Sequence, residues 1–434
     1  MVTPPGSAGS RPAFHFTPRR EWINDPHGIT WRNGTYHVFY QYVPDHTAWA
    51  PQCNWGHATG STLFALREGQ PVLAPDQDDD GVWSGSVITD PEGRGRIFYP
   101  SVSVPDFSLG SVREATTNDP DWAAWDKGRV VVVPPEGLDL AVFRDPYVYR
   151  DQDRWRMLVG AGLRDGTAAA LGYSSTDLTD WRYDGIVAQR PVDARDPVWT
   201  GAAWECPQLF EIDGRHVLIT SVWDDDKLYY AAYGIGALHG DAFVAESWGQ
   251  LTYGNSYYAP SFFRDRTGRP CLSLWMRGIA DLDSGWASAH SIPYALALDG
   301  EALVARPHPD IERLRGPRRN SDHRSIGPLS DVNWEPADDT SRLRLLCGRR
   351  LVLEITRRPR ELVVATSAGS TGMPYSDGEV RVVLDAGVVE ISTRDGLLGF
   401  PVAAWERELT IDRVEGHLKT YDLHQLPPAS REQI

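Results

Sequence analysis

Three carboxylates have the types and surroundings that could do chemistry. Asp25 lies in Trp22-Ile-Asn-Asp-Pro26, Asp145 in Phe143-Arg-Asp-Pro146 and Glu205 in Trp204-Glu-Cys-Pro207. Each sits beside a Pro or Cys-Pro that stiffens the backbone, with aromatic or Arg neighbours. Taken singly, Asp-Pro is a turn signal. Taken together in one pocket, three carboxylates are costly unless they act on something. The reaction suited to such a set is cleavage of a glycosidic bond by a flanking pair. One carboxylate must stay ionised, and the other must hold a proton near neutral pH for the leaving oxygen. The negative charge of the first raises the pKa of the second, so environment separates the two roles.

Residues this far apart in sequence can meet only if the fold brings them together. The chain is dominated by short β-type runs such as Thr35-Tyr-His-Val-Phe-Tyr40, Trp155-Arg-Met-Leu-Val159 and His216-Val-Leu-Ile-Thr220. Asn33-Gly34 and Asp213-Gly214 precede such runs as tight hairpin turns would. No long helical periodicity is present, so the chain reads as all-β. Taking Asp25, Ser84, Asp145, Glu205 and Tyr258 as markers, Pro- or Ser-containing motifs recur at spacings of 59, 61, 60 and 53 residues. One four-stranded blade with long loops needs about that length, which predicts a five-bladed β-propeller over residues 1–305. The innermost strands of such blades line one axis, so Asp25, Asp145 and Glu205 would converge there. Residues 306–317 are Pro-rich and charged, and read as a linker with one helical turn. Residues 318–434 carry alternating runs, among them Leu351-Val-Leu-Glu-Ile355 and Val380-Arg-Val-Val-Leu384, and predict a β-sandwich.

Composition narrows the class further. The formal net charge is −16, which argues against nucleic acid or an anionic membrane surface as partner. The first 317 residues carry −14 of it and 15 of the 17 Trp. An acidic, aromatic-rich region favours an uncharged small-molecule ligand over an anion. No apolar run approaches the ~18–20 residues of a membrane span. Residues 1–10 have no basic or apolar stretch of the secretory kind. The four cysteines, Cys53, Cys206, Cys271 and Cys347, are widely separated and are expected to be reduced thiols of a cytoplasmic protein. Among the 12 His there is no His-Glu-x-x-His pattern, so no metal or other cofactor is expected. The acidic run Asp76 to Asp80 reads as a solvated loop tip, and His27, His57 and His290 as hydrogen-bonded structural groups.

The ordered set Trp22-Ile-Asn-Asp-Pro-His-Gly28, Phe39-Tyr-Gln-Tyr42, Asn54-Trp-Gly-His57, Trp83-Ser-Gly-Ser86, Phe143-Arg-Asp-Pro146 and Glu205-Cys-Pro207 resembles glycoside hydrolase family 32. The likeness continues through Gly285-Trp-Ala-Ser-Ala289 to Val389-Glu-Ile391. It implies a five-bladed propeller followed by a sandwich. It also implies a retaining β-fructofuranosidase that removes terminal fructosyl units from sucrose or short fructans. By this resemblance Asp25 is the nucleophile and Glu205 the general acid/base. Asp145, with Arg144, holds the furanose hydroxyls and steadies the transition state. Asn24, Gln41, Trp49, Trp83, Ser84 and Trp275 fall at substrate-contacting positions. The chain departs from the family pattern at His27, where Asn is usual, and at Gln208, where Asp is common. It departs again at Thr252, over Asn255 to Tyr257, and over Gly60 to Phe64. A fructosyltransferase, an inverting propeller glycosidase and a catalytically silent sugar-binding propeller remain as alternatives. Sucrose, sucrose 6-phosphate, inulin and levan are not separated by sequence, although the acidic charge leans toward uncharged fructosides.

Overall fold

The structure, a computed structural model, describes residues 11–319, 324–403, 405 and 407–425. The reading of residues 1–10 as lacking a leader lies outside the described residues. The molecule is nearly all strand. Its one helix among the described residues is a 3-10 segment, Pro309–Leu314. Among the described residues no helix is long and apolar enough to cross a membrane.

Two antiparallel four-stranded sheets follow each other in the chain. One is built of Leu140–Asp151, Arg154–Leu163, Thr167–Ser175 and Arg182–Pro191. The next is built of Ala203–Ile212, Arg215–Asp224, Lys227–His239 and Ala242–Gln250. In each, the first strands are buried on both faces and the last is half-exposed, which orders the strands from an inner to an outer position. A five-stranded sheet precedes them, with members between Gly81–Val82 and Asp126–Val132. A nine-stranded sheet joins the strands of residues 21–68 to those of residues 257–307. The joint is a parallel pairing of Glu21 with Trp286 and Trp22 with Ala287. Both expected hairpin turns form. Asn33 and Gly34 have φ of 48° and 81°, and Asp213 and Gly214 have 50° and 76°. Positive φ at both central residues is the turn whose twist matches the flanking strands.

Beyond residue 314 the strands supply six members of a seven-stranded sheet and all of a six-stranded one. Val332, Trp334, Val382 and Ile391 of the first share one core with Leu343, Leu353, Ile355 and Val364 of the second. The stretch read as a linker is ordered structure. Arg306 and Pro307 end the strand Ala302–Pro307, the 3-10 segment follows, and Arg315–Arg318 pairs with His417–Leu423. Thr252 and Tyr253 also pair with Leu397 and Leu398, so the two regions share a sheet.

A buried ionic cluster ties the regions together. His15 Nδ1 is 2.7 Å from Asp385 Oδ2, and its Nε2 is 2.6 Å from Glu390 Oε1. The backbone N–H groups of Ala13 and Phe14 donate to Asp385 at 2.7 and 2.8 Å. The hydroxyls of Tyr257 and Tyr294 donate to Glu390, as does the N–H of Ile292 at 2.8 Å. Burial alone would push the His15 pKa down. The charges of Glu390 and Asp385 and their hydrogen bonds win, and raise it to about 9.

The acidic run is not a bare loop tip. Asp79 is buried and accepts from Lys127 at 2.8 Å, and Arg113 bridges Asp76, Asp78 and Asp79 at 3.1–3.3 Å. Paired cations make burial of Asp79 tolerable, while Asp76, Asp78 and Asp80 stay exposed. All four cysteines are free thiols.

Candidate active site

The repeat seen in the sequence is a repeated bulge. Asn24 and Asp25 together oppose Gln41 between the pairs Ile23–Tyr42 and Pro26–Tyr40. Asp145 and Pro146 oppose Val159, Cys206 and Pro207 oppose Thr220, and Ala259 and Pro260 oppose Leu274. In the five-stranded sheet the extra residue falls over Trp83–Gly85, between the pairs Val82–Ser101 and Ser86–Phe98. A bulge bends its strand and re-aims the side chains beside it. Asp145, Cys206 and Ala259 adopt left-handed backbone, with φ of 60°, 49° and 46°. That conformation costs about 1–2 kcal/mol in an L-residue. Meeting it at three corresponding places marks a geometry held by its surroundings. Gly85 is required here, because a Cβ on it would lie 1.9 Å from the carbonyl oxygen of Phe98.

The bulges bring the predicted residues together in two tiers. The residues preceding three bulges, Arg144, Glu205 and Tyr258, form one tier. Arg144 Nη2 donates to Glu205 Oε1 at 2.7 Å, and the Tyr258 hydroxyl donates to Glu205 Oε2. The second tier is carried by the bulges themselves. Ser84 Oγ donates to Asp25 Oδ2 at 2.7 Å, and Asn24 Nδ2 donates to Asp25 Oδ1 at 3.1 Å. Asn24 Nδ2 also reaches Gln41 Oε1 at 2.7 Å. The N–H of Cys206 donates to Asp145 Oδ2 at 3.0 Å. The Cys206 thiol lies 3.8 Å from Asp25 and 3.6 Å from Asp145.

Electrostatics follow from this packing. Burial pushes Asp25 up to about 6, with the Glu205 charge adding and the Ser84 hydrogen bond opposing. Burial, then the Glu205 charge, pushes Asp145 well above the carboxylate range, and Arg144 offsets part of it. Burial is the leading cause at both Asp25 and Asp145, and the neighbouring charge adds to it. Glu205 is the one that holds the Arg144 guanidinium, because both precede their bulges and face each other.

Aromatic side chains stand around the carboxylates. The Arg144 guanidinium lies 5.6 Å from the Trp83 ring and 5.7 Å from that of Trp223. Trp49 is 51% exposed and meets Trp83 edge-on at 6.1 Å. Trp275 is buried between Trp22 and Tyr258, and its Nε1 donates to Ser288 at 3.0 Å. Tyr258, Cys206 and Trp223 were not among the expected site residues. Tyr258 did occupy a marker position of the repeat, and that was the available signal. His57 and His290 are hydrogen-bonded as expected, to His37 at 3.0 Å and to the Asn24 carbonyl at 2.8 Å. His27 is not. Neither ring nitrogen has a partner among the described residues, and the ring packs against Trp55 at 4.0 Å, tilted by 44°. It borders a cavity of about 20 Å³ that Gln208 also lines. A cavity that size admits a water. A larger one, about 580 Å³, lies between residues 11–19 and 63–68 and shares no lining residue with the carboxylates.

Asp265, Cys271 and His308 place ligand atoms within 4.8 Å of one another. The donors are already engaged. Asp265 accepts from Thr267, Arg269 and His308, and His308 Nδ1 accepts from the N–H of Asp310. These residues close a turn and cap the 3-10 segment.

Residues 15–307 match the profile described as the glycosyl hydrolases family 32 N-terminal domain. The chain belongs to glycoside hydrolase family 32. It is thereby a glycoside hydrolase of β-fructofuranosidase type. The chain is 28% identical over 430 residues to a sucrose-6-phosphate hydrolase of Escherichia coli, covering 89% of this chain and 87% of that protein. It is 32% identical over 349 residues to a fructan 1-exohydrolase of Hordeum vulgare, covering 72% of this chain and 56% of that one. In fold it is similar to a Bombyx mori family 32 β-fructofuranosidase, with a TM-score of 0.84 and 22% identity, covering 96% and 95% of the two chains.

Proposed function

We propose that this family 32 enzyme releases terminal β-D-fructofuranosyl units from sucrose or short fructans with retention of configuration. The observation that carries the reading is the meeting of Asp25, Asp145 and Glu205, from three separate sheets, around Cys206 and Arg144. Asp25, with a pKa of about 6, is ionised at neutral pH and attacks the anomeric carbon. Glu205 gives its proton to the leaving oxygen, then takes one from the water that hydrolyses the fructosyl-enzyme. Asp145 and Arg144 hold the ring hydroxyls. Asn24, Gln41 and Ser84 orient Asp25, and Trp49, Trp83 and Trp275 wall the sugar. The scaffold is read as a five-bladed propeller over residues 1–305, a connector over 306–317 and a sandwich over 318–434. The five bulged inner strands support the blade count. The protein is further read as cytoplasmic, working without metal or other cofactor.

Asp25→Asn and Glu205→Gln are the direct test. Each should lower kcat on sucrose by at least about 10²-fold, the lower range for a positioned acid or base. NMR of the first fructose released should show the β-anomer, and mass spectrometry of acid-quenched Glu205→Gln should place a fructosyl group on Asp25. Release of the α-anomer first would rule out retention. Likeness to the Escherichia coli sucrose-6-phosphate hydrolase favours a second substrate reading. Relative kcat/KM on sucrose, sucrose 6-phosphate, inulin and levan decides between them.

A further inference from the structure

Arg277 is a half-buried cation with no carboxylate in salt-bridge range among the described residues. Its Nη1 donates to the carbonyl of Leu228 at 3.0 Å, and its Nη2 to those of Tyr229 at 3.1 Å and Tyr257 at 3.3 Å. Its Nε reaches the carbonyl of Ser256 at 3.4 Å. The guanidinium carbon lies 5.2 Å from the centre of the Tyr258 ring. The hydroxyl of that ring donates to Glu205, whose other oxygen holds Arg144. Glu205 is therefore set between two guanidinium groups, one in contact and one behind a tyrosine. A rigid planar fork bound to fixed backbone carbonyls is a poor choice for stability alone, because an unpaired buried charge costs desolvation. It is well suited to hold a ring and a charge in one place.

We propose that Arg277 is a positioning residue for the acid/base carboxylate, holding the Tyr258 hydroxyl on Glu205 and setting a second positive charge behind it. The proposal rests on the reading of Glu205 as acid/base. The other groups facing Glu205 are Arg144, Asp145, Asp25, Cys206 and Tyr258. With Arg277 removed, the positive charge behind Glu205 is lost and the Tyr258 hydroxyl is no longer held on it, so its proton is placed less well. The alkaline limb of kcat/KM should move upward while the rate at its plateau falls.

The test compares a substrate that needs a proton on its leaving group with one that does not. Arg277→Met should lower kcat/KM on sucrose by about tenfold, part of the roughly 10²–10⁴ that a positioned acid supplies. On β-D-fructosyl fluoride, whose leaving group departs with little protonation, kcat/KM should be nearly unchanged. Arg277→Lys keeps the charge without the fork and should fall between. In a Tyr258→Phe background, which leaves the four carbonyl contacts intact, Arg277→Met should cost clearly less on sucrose than it does alone, because only the charge remains to be lost. Equal losses on both substrates, an unmoved alkaline limb, or additive losses in the double variant would overturn the proposal. Glu205→Gln, assayed alongside, separates the two levels. If it keeps sucrose turnover, the acid/base reading falls. If it loses turnover while Arg277→Met matches wild type on sucrose, the positioning role alone falls.

Discussion

Replacing His15 should remove a pH-dependent part of the stability of this protein. Its side chain is 0% exposed and joins Asp385 to Glu390. Folding raises its pKa from 6.5 to about 9. A shift of that size, at about 1.4 kcal/mol per unit, corresponds to roughly 3 kcal/mol. Because the folded value is the higher one, this stability is fully present below pH 6.5. It is lost as pH rises through about 9, with a slope no steeper than about 1.4 kcal/mol per pH unit. Urea unfolding at pH 6.5, 8 and 9.5 reads it directly. Wild type should weaken by roughly 3 kcal/mol across that range. His15→Gln cannot titrate there, so its curve should lie flatter. At pH 6.5 it should be less stable by about 3–5 kcal/mol, since two buried carboxylates then lack their cation. Parallel pH dependence in wild type and His15→Gln would refute the reasoning, because the slope would then belong to other groups.

Three further outcomes follow from the site. Asp25 must be ionised to attack, so kcat/KM on sucrose should rise with pH through about 6. Ser84→Ala removes a hydrogen bond that favours the charged form, and should move that acid limb upward. Gly85→Ala puts a methyl group on the Phe98 carbonyl and should cost at least about 1–3 kcal/mol by overpacking, read as a lower midpoint in thermal unfolding. Trp49→Ala should raise KM by a few-fold with little change in kcat, as loss of one aromatic contact of about 0.5–1.5 kcal/mol predicts. An unchanged KM would remove Trp49 from the site.

Much of the architecture was readable from local chemistry. Asn33-Gly34 and Asp213-Gly214 named their own turns, since few residues accept positive φ twice in succession. The spacing of the Asp-Pro, Trp-Ser and Cys-Pro motifs marked strands that each carry the same irregularity. Other features were not legible, for identifiable reasons. The stretch after residue 305 carries its one helical turn, but the pairing of Arg315–Arg318 with a strand about 100 residues later is not revealed by composition. Within the exposed Asp76 to Asp80 run, Asp79 alone is drawn inward, by Arg113 and Lys127, distant in sequence. His27 reads as a hydrogen-bonded group, yet its ring nitrogens find no partner among the described residues and the ring packs against Trp55, beside a cavity.

The amino-acid sequence by itself determined the strand-and-turn composition, the repeat of about 60 residues and the family, because these depend on local backbone preference and on motif order. It also named the three carboxylates. Their electrostatic roles were decided only by the tertiary structure. A bulge places Glu205 beside Arg144 and Tyr258, and leaves Asp25 and Asp145 to share a buried thiol. A pKa is set by the charges and solvent within a few ångströms, and residues that close come here from separate sheets.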